Sequence, residues 1–447
     1  MTAAPIRLVD LRKETLLAQG HPAFSAAQTN HLVPRASIDV AVALQSVLPL
    51  IQDVATRGLD AVVEVTIARD GVDPNPVRVT QDEIDQAVAA LEPTLKQAIL
   101  ESIERVRKVS QANLPKPTSV KLAEGATVHQ RWQPVDSVGL YVPGGKAVYP
   151  SSVVMNVVPA QVAQVPRLAI ASPAQKDFGG RPHPTVLATA GLLGVTEVYS
   201  MGGPAAIAAF AHGLPQIEMA PVALVTGPGN IYVTAAKRAL RGLIGIDSEA
   251  GTTEILVLAD ETANPELIAF DLVSQAEHDE AAASVLVTNS IDLANRVIDA
   301  LQAVVSATHH SQRVATALAG QQSAVVVTDT WREAVLFTNE YATEHLEIHS
   351  ADNQAALAAI TNAGAIFLGE YSPVSLGDYM AGSSHVLPTG QQAKFGSGLG
   401  VHSFVRAQQI IDYSQAGLAP ISDLVQEFAT AEGLPAHGEA IAARFKA

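Results

Sequence analysis

Short runs of β-branched and other apolar residues alternate with amphipathic or alanine-rich runs over most of the 447-residue chain. From residue 81 onward, apolar positions recur at helical spacing, and Pro93 marks a break between two helices. After these helices, two series of strand-like runs end in Gly, Pro or polar turns and are separated by helical runs. The first series is VDSVGLYV, RLAIAS, VTEVYSMGG and PVALVTG, and the second is TTEILVLAD, ASVLVTNS, SAVVVTD, HLEIHS and GAIFLG.

Two series of strand and helix units predict an α/β protein with two doubly wound parallel sheets, each covered by helices on both faces. Ligand-binding residues are then expected at the carboxyl ends of the strands. Residues 373–417 interrupt the rhythm, because they are rich in Gly, Ser and His and show little periodicity. A loop of this length usually serves a site, so we expect residues 373–417 to carry ligand-binding groups.

The composition narrows the class of protein. With 48% hydrophobic residues, the chain can bury a large core and is expected to form more than one domain. Lys and Arg number 28 against 44 Asp and Glu, and without a basic run this net charge of −16 argues against a nucleic-acid partner. Cysteine is absent, which excludes disulfides, thiolate zinc ligands and a cysteine nucleophile.

The same pattern argues against a membrane protein. The N-terminal segment lacks the apolar core of a signal peptide. Every apolar stretch is interrupted before about 18 residues, which is the length that a membrane-spanning helix needs. We therefore expect a cytoplasmic protein that binds neither nucleic acid nor membrane.

One candidate metal site starts from SQAEHDE, where Gln275 and His278 lie one helical turn apart after an apolar helical run. Alone, the pair is more typical of a solvated helix face than of a metal site. Asp378 and His437 lie in segments where the pattern gives no structural reason for them. The four side chains together form a nitrogen and oxygen donor set that suits zinc or a similar divalent ion.

A second candidate is the adjacent pair Glu344 and His345 in NEYATEHLEI, where a helical run gives way to a strand. The pair is either a helix-end feature or a general acid and base, since histidine titrates near neutrality. Glycine-rich turns in VGLYVPGGKAVYPSSVVMN and VTGPGNIYVTAAK either only turn the chain or let its backbone approach a phosphate. Neither turn completes a dinucleotide or phosphate-loop motif.

These segments, together with GDYMAGSSHVLPTG and EGLPAH, resemble histidinol dehydrogenases in the same order and over nearly the whole chain. The resemblance implies a four-electron oxidation of L-histidinol to L-histidine through L-histidinal, with NAD and one zinc ion per subunit. It also implies a homodimer with shared active sites. The implied architecture has two incomplete Rossmann-like domains, the first formed by 37–140 with 253–399 and the second by 141–252. An N-terminal extension, 1–36, and a dimer-swapped C-terminal extension, 400–447, complete it.

The resemblance also assigns roles to individual residues. Its zinc ligands are Gln275, His278, Asp378 and His437, the last supplied by the partner subunit. Its catalytic residues are Glu344 and His345, and its NAD contacts are Tyr141 and Asn230. Its substrate-binding residues are Thr253, Gln275, His278, His345, Asp378, His385, Glu432 and His437.

Two positions depart from the family pattern. Ala205 stands where the family commonly has a glutamine that contacts NAD, and Thr253 replaces a serine that contacts the substrate. The missing glutamine predicts the loss of one cofactor hydrogen bond, worth about 1 kcal/mol.

Three other functions stay open at this point. They are a zinc hydrolase with the same acid and base pair, a non-catalytic ligand-binding relative, and a paralogue that oxidises another amino alcohol or a sulfonated alcohol.

Overall fold

The computed structural model describes residues 5–12, 24–35, 40–144, 147–249 and 251–446. Its strands are β1 (Arg7–Asp10), β2 (Thr118–Ala123), β3 (Ala126–Pro134), β4 (Val138–Tyr141), β5 (Leu168–Ser172), β6 (Glu197–Ser200), β7 (Leu224–Thr226), β8 (Gly245–Ile246), β9 (Glu254–Ala259), β10 (Ala283–Thr288), β11 (Ala324–Val327), β12 (His345–His349), β13 (Ala365–Leu368) and β14 (Val405–Tyr413).

The helices of the first half are α1 (Ala26–Leu32), α2 (Val40–Arg57), α3 (Leu59–Asp70), α4 (Gln81–Ala90), α5 (Pro93–Ala112), α6 (Pro150–Val162), α7 (Pro184–Leu192), α8 (Gly203–His212) and α9 (Ile231–Leu240). Those of the second half are α10 (Pro265–Ala276), α11 (Ile291–Ala307), α12 (Ser311–Ala319), α13 (Trp331–Tyr341), α14 (Asn353–Ala359), α15 (Val374–Tyr379), α16 (Gln415–Leu418), α17 (Ser422–Ala431) and α18 (Pro435–Ala442). None of these helices combines the length and apolar character needed to cross a membrane.

The first sheet contains six parallel strands in the order β1, β11, β10, β9, β12, β13. Alternate residues of β9 enter different cores. Ile255 and Val257 pack with α10, α11 and α12 on one face, whereas Leu256 and Leu258 pack with α13 on the other. Burial on both faces explains why these strands are continuously apolar, and it confirms the predicted doubly wound arrangement.

The second sheet contains five parallel strands in the order β6, β5, β4, β7, β8. Leu140 and Ile170 pack against α6 and α7 on one face, and Ala171 and Tyr199 pack against α8 and α9 on the other. Both sheets are therefore of the predicted α/β class.

The helices between residues 40 and 112 cover the second sheet. Val47 and Val54 of α2 share a core with α8 and α9, while Ile84 of α4 and Ile103 of α5 share one with α6 and α7. The division that groups 37–140 with 253–399 stays a prediction, and the helices of its first segment contact the second sheet. The sequence pattern shows which face of each helix is apolar but not which sheet that face covers.

The predicted loop 373–417 is more ordered than expected. It contains α15 and the nine-residue strand β14, which pairs antiparallel with β3. Strands β14, β3 and β2 form a separate three-stranded sheet. Most of β14 is exposed, so it lacks the alternation of apolar and polar residues that marks a half-buried strand. The predicted N-terminal extension, 1–36, contributes β1, which pairs with β11 in the first sheet.

Candidate active site

The two predicted catalytic residues lie at the start of β12, beside the start of β9. The carboxylate oxygen Oε2 of Glu344 accepts hydrogen bonds from the Thr253 hydroxyl at 2.7 Å and from the Glu254 backbone N–H at 2.8 Å. His345 Nδ1 lies 3.0 Å from the Glu254 carbonyl oxygen, which can only accept a proton. This contact places the ring proton on Nδ1, so Nε2 carries a lone pair.

The free nitrogen of His345 is buried. Within the described part of the chain, Nε2 of His345 has no hydrogen-bond partner. Buried polar atoms are rarely left unpaired without a reason, so this nitrogen is available to a bound molecule. The His345 ring also lies next to Glu344, with 3.5 Å between Nδ1 and the carboxylate oxygen Oε2. The two side chains are therefore a candidate pair of proton acceptor and donor.

The Glu344 carboxyl titrates near neutrality. Burial raises its pKa to about 7, although His345 and the hydrogen bonds from Thr253 and Glu254 oppose the shift. A carboxyl with such a pKa can exchange a proton with water or substrate at physiological pH.

The first two predicted zinc ligands lie at the C-terminal end of α10. The Gln275 side-chain N–H donates to the Thr253 hydroxyl, which leaves the amide oxygen of Gln275 free to bind a cation. His278 Nδ1 lies 3.2 Å from the Ser274 carbonyl oxygen and 3.3 Å from that of Gln275. These carbonyls favour the tautomer whose lone pair is on Nε2, the form that zinc-binding histidines adopt.

Asp378 and His385 lie close together after β13. His385 Nδ1 is 3.1 Å from the Asp378 carbonyl oxygen and 4.0 Å from its carboxylate, while Nε2 is 3.2 Å from the Ser152 hydroxyl of α6. Burial lowers the pKa of His385, Asp378 opposes that shift, and the nearby His345 and His278 lower it further. The structure thus brings His278, His345, Asp378 and His385 into one electrostatic environment.

The site lies at an unexpected edge of the first sheet. Glu344 and His345 stand at the amino end of β12, and Thr253 precedes the amino end of β9, whereas carboxyl ends were predicted. The reason is the crossover helix α10, which returns antiparallel to β9 and so delivers Gln275 and His278 to the amino edge. In the second sheet, Tyr141 ends β4 and Gly227 directly follows β7, so both lie at carboxyl ends of strands.

The two predicted cofactor residues each contact the first turn of a helix that covers the second sheet. The Tyr141 hydroxyl, at the end of β4, accepts the Gly203 N–H at 3.1 Å at the start of α8, and burial raises the pKa of Tyr141 to about 12. Asn230 is exposed and caps α9, because its side-chain oxygen accepts the N–H groups of Tyr232 at 3.0 Å and Val233 at 3.2 Å.

A buried ion pair forms hydrogen bonds with the glycine turn before α9. Lys237 and Asp247 are both buried and lie 2.7 Å apart, with Lys237 also donating to the Gly227 carbonyl and Asp247 accepting the Gly227 N–H at 2.8 Å. Gly227 has φ +116°, and a Cβ atom there would collide with the Tyr141 carbonyl oxygen. Only glycine fits this turn.

The remaining predicted residues, Glu432 and His437, lie in the C-terminal helical hairpin formed by α17 and α18, and both are exposed. The same hairpin exposes the large apolar side chains Leu424, Phe428 and Leu434. Large apolar side chains exposed together on a helical hairpin are typical of an interaction surface.

Comparison with known proteins identifies the family. The family model described as histidinol dehydrogenase matches residues 33–445. A histidinol dehydrogenase from Leifsonia xyli subsp. xyli is 54% identical over 93% of this chain and 95% of its own length. The chain belongs to the histidinol dehydrogenase family.

Other histidinol dehydrogenases agree with this assignment. The Thermobifida fusca protein is 53% identical over 98% of this chain and 97% of its own length. The crystal structure of histidinol dehydrogenase from Elizabethkingia anophelis has a TM-score of 0.91 at 29% identity, covering 100% of this chain and 99% of that one. The family resemblance drawn from the sequence motifs is therefore confirmed.

The two departures from the family pattern have different surroundings. Ala205 lies in the first turn of α8 and is buried in the core that α2, α8 and α9 share. Thr253 keeps the hydroxyl of the serine it replaces and uses it twice, as donor to Glu344 and as acceptor from Gln275. The threonine substitution therefore preserves the local hydrogen bonds.

Sequence reasoning missed several residues that support the site. Arg35 forms a buried ion pair with Glu254 and stacks over the Tyr341 ring at 4.2 Å. No local pattern marks Arg35, because its partners are more than 200 residues away. Ser152 lies within the quoted YPSSVVMN segment, but only the fold shows that it reaches His385.

Proposed function

We propose that this protein oxidises L-histidinol to L-histidine through L-histidinal, using NAD and one zinc ion per subunit. Family membership supports the reaction class, and the observation that carries the proposal is the buried Glu344 and His345 pair. His345 presents an unpaired Nε2, and the pKa of Glu344 is about 7. Two proton transfers at neutral pH require two such groups, a basic nitrogen and a carboxyl that titrates near pH 7.

The donor set around this pair fits zinc. Gln275 offers its amide oxygen, His278 its Nε2 and Asp378 its carboxylate, and we assign the fourth position to His437 of the partner subunit. The amide and carbonyl contacts described above already orient the first two ligands, as supporting groups do in metal sites. When bound, zinc supplies an anchor for the imidazole and amino group of the substrate.

His345 acts first in this proposal. Its Nε2 accepts the hydroxyl proton of L-histidinol while the carbinol carbon gives a hydride to the nicotinamide, producing the aldehyde. The Nδ1–H of His345 donates to the Glu254 carbonyl oxygen, with 3.0 Å between nitrogen and oxygen. This hydrogen bond stays in place when the ring becomes an imidazolium.

Glu344 acts in the second half. Its carboxylate takes a proton from the water that adds to the aldehyde, while the His345 imidazolium returns its proton to the aldehyde oxygen, giving a hydrate. His345, neutral again, then accepts a proton from one hydroxyl of this hydrate while a second hydride leaves for a second NAD, and the resulting carboxylic acid loses its proton to water as the carboxylate of L-histidine. Thr253 and the Glu254 N–H hold the Glu344 carboxylate in place through both steps. His385 completes the pocket, and we assign Glu432 of the partner subunit to the substrate amino group.

We place NAD at the carboxyl ends of β4 and β7, where Tyr141 and Asn230 border the glycine turns. The exposed Asn230 and the fixed Gly227 turn support this placement. Ala205 cannot supply the hydrogen bond that a glutamine would, so the site is expected to bind NAD through fewer side chains.

We further propose a homodimer in which the α17 and α18 hairpin of each subunit completes the other subunit's active site. The exposed apolar side chains of the hairpin support this. Mixing inactive His345→Ala and His437→Ala subunits under exchange conditions tests it, because hybrid dimers would contain one site with both histidines. Activity should reappear, and its absence despite proven exchange would refute a shared site.

The test of the reaction itself is NADH formation from L-histidinol, with histidine assayed in the same samples before chelation, after chelation and after zinc return. We expect two NADH for each histidine, lost on chelation and restored by zinc. Product release without nicotinamide would instead identify a hydrolase. Preferential oxidation of another amino alcohol or a sulfonated alcohol would identify a paralogue.

A further inference from the structure

A second group of titratable side chains lies behind the active site. Asp271 of α10 meets Glu347 and His349 of β12, and one oxygen or ring nitrogen of each lies within 4.8 Å of the others. Glu347 is fully buried, and its Oε2 lies 3.3 Å from His349 Nε2. The proposed reaction uses none of these three residues.

The two carboxyl groups hold one proton between them. Burial, followed by the charge of the neighbouring Glu347 and a hydrogen bond with it, raises the pKa of Asp271 to about 8. At neutral pH Asp271 is therefore the protonated partner and donates to the Glu347 carboxylate. The pair carries one negative charge and one hydrogen bond between α10 and β12.

The other oxygen of Glu347 reaches a third element. Oε1 accepts the N–H of Val374 at 2.7 Å, and Val374 is the first residue of α15. Pro373, which precedes it, supplies no side-chain cap. Glu347 therefore caps a helix from a different element of the fold, and this contact ties α15 to β12.

The two residues that Glu347 contacts on α10 and α15 each lie four residues before a proposed zinc ligand. Asp271 precedes Gln275 by four residues on α10, and Val374 precedes Asp378 by four residues on α15. Residues four apart share one face of a helix. Glu347 thus contacts each helix one turn before the residue that we assign to zinc.

We propose that Glu347 is a positioning residue that sets the spacing between α10 and α15, and thereby between the zinc ligands Gln275 and Asp378. The inference rests on the zinc assignment made above. Glu347 also shares its face of β12 with His345, because alternate residues of a strand point the same way. One buried carboxylate therefore holds the ligand helices in register with the catalytic base.

Another reading of the same cluster is a second metal site formed by Asp271, Glu347 and His349. A metal there would require Asp271 to release its proton, and it would compete for the oxygens with which Glu347 binds the other two elements. We favour the positioning role for that reason, and the metal content of the protein decides between the two.

The decisive variants are Glu347→Gln and Glu347→Asp. Glutamine keeps the length of the side chain, so its oxygen can accept the Val374 N–H and its amide can donate to Asp271. Aspartate keeps the charge but is one methylene shorter and cannot span both contacts. Glu333→Gln is a matched control, since Glu333 is a buried carboxylate that caps α13 away from the site.

The first readout is the zinc affinity of the full-length protein, measured by competition with a chromophoric chelator. We expect Glu347→Asp to bind zinc at least about tenfold more weakly, as for other residues that orient metal ligands. Glu347→Gln and Glu333→Gln should stay within about threefold of the unsubstituted protein. Equal affinity for the aspartate and glutamine variants, or weaker binding by glutamine alone, would overturn the proposal.

The second readout does not need zinc. Hydrogen exchange of the α15 amides in the zinc-free protein should become faster in Glu347→Asp but not in Glu347→Gln or Glu333→Gln. Unchanged exchange in Glu347→Asp would refute the role of Glu347 even if zinc binds. Faster exchange in a protein that never binds zinc would refute the zinc assignment instead. Two bound zinc ions, one of them lost in His349→Ala, would establish the metal site and overturn the positioning role.

Discussion

Thr253 donates its hydroxyl hydrogen to Glu344 across 2.7 Å and accepts the side-chain N–H of Gln275 at the same oxygen. The hydroxyl thus links the candidate acid and base pair to the candidate metal site. Both neighbours are buried, so neither can replace this contact with bulk water.

Replacing Thr253 by valine should therefore impair both functions at once. Valine has the same shape but leaves the Gln275 amide unsatisfied, which we expect to cost about 1 to 3 kcal/mol of stability. The loss of orientation should lower kcat/KM by about 10- to 100-fold. Urea unfolding and steady-state kinetics measure the two effects. Thr253→Ser is the matched control and should stay within about threefold in kcat/KM, since it keeps the hydroxyl; a serine variant as impaired as valine would contradict the argument.

The Glu344 carboxyl predicts a pH-dependent stability difference. Its pKa rises from 4.5 to about 7 on folding, so the folded protein holds this proton more tightly than the unfolded chain. Stability should therefore fall as pH rises from about 4.5 to about 7. Glu344→Gln cannot titrate and should lack this component, which we place at about 1 to 3 kcal/mol.

Urea unfolding of the two proteins at pH 5 and pH 8 tests this, because Asp271 and the other titrating groups are present in both. The variant should gain stability relative to the unsubstituted protein between the two pH values. A difference that is constant with pH would show that the Glu344 pKa is not raised.

Gly227→Ala should damage the cofactor side of the protein. The turn combines φ +116° with a Cβ position occupied by the Tyr141 carbonyl. Gly242→Ala is the matched control, since Gly242 has φ +105° but nothing within 4 Å of its Cβ position. We expect Gly227→Ala to be less stable than the control by at least about 2 kcal/mol and to bind NAD at least about tenfold more weakly. If the two variants lose the same amount of stability and of NAD affinity, backbone strain alone explains the losses and the contact with the Tyr141 carbonyl does not contribute.

Asn230 should separate helix capping from cofactor binding. Asn230→Ala removes the acceptor for the Tyr232 and Val233 N–H groups and should cost about 0.5 to 2 kcal/mol of stability. Asn230→Asp keeps that acceptor, so its stability should match that of the unsubstituted protein. Its added charge near the NAD phosphates should nevertheless raise the KM for NAD. An unchanged KM in the aspartate variant would place the cofactor away from α9.

The alternation of strand and helix was readable from the sequence because it depends on local periodicity. The β9 run is continuously apolar since both of its faces are buried, and Pro93 and Pro184 begin helices where their missing N–H is harmless. The position of Glu344 and His345 between a helix and a strand left a helix-end feature and an acid and base pair equally open, and only the family resemblance favoured the second.

Other features depend on distant contacts and could not be predicted locally. Helices α2 to α5 present apolar faces, but only the tertiary packing assigns them to the second sheet. The amino-edge location of the site follows from the path of α10 back across the first sheet. Glu347 resembles any buried strand residue until the fold brings Asp271 and Val374 to it.

The backbone of Glu254 holds both candidate catalytic side chains, since its N–H donates to Glu344 and its carbonyl accepts from His345. Every amino acid carries that carbonyl, and every one except proline carries that N–H. Alanine scanning at position 254 would report on the ion pair with Arg35 while both backbone anchors remained in place. Mutagenesis would thus register the catalytic pair and overlook the peptide groups that orient it, unless an ester were substituted for the amide.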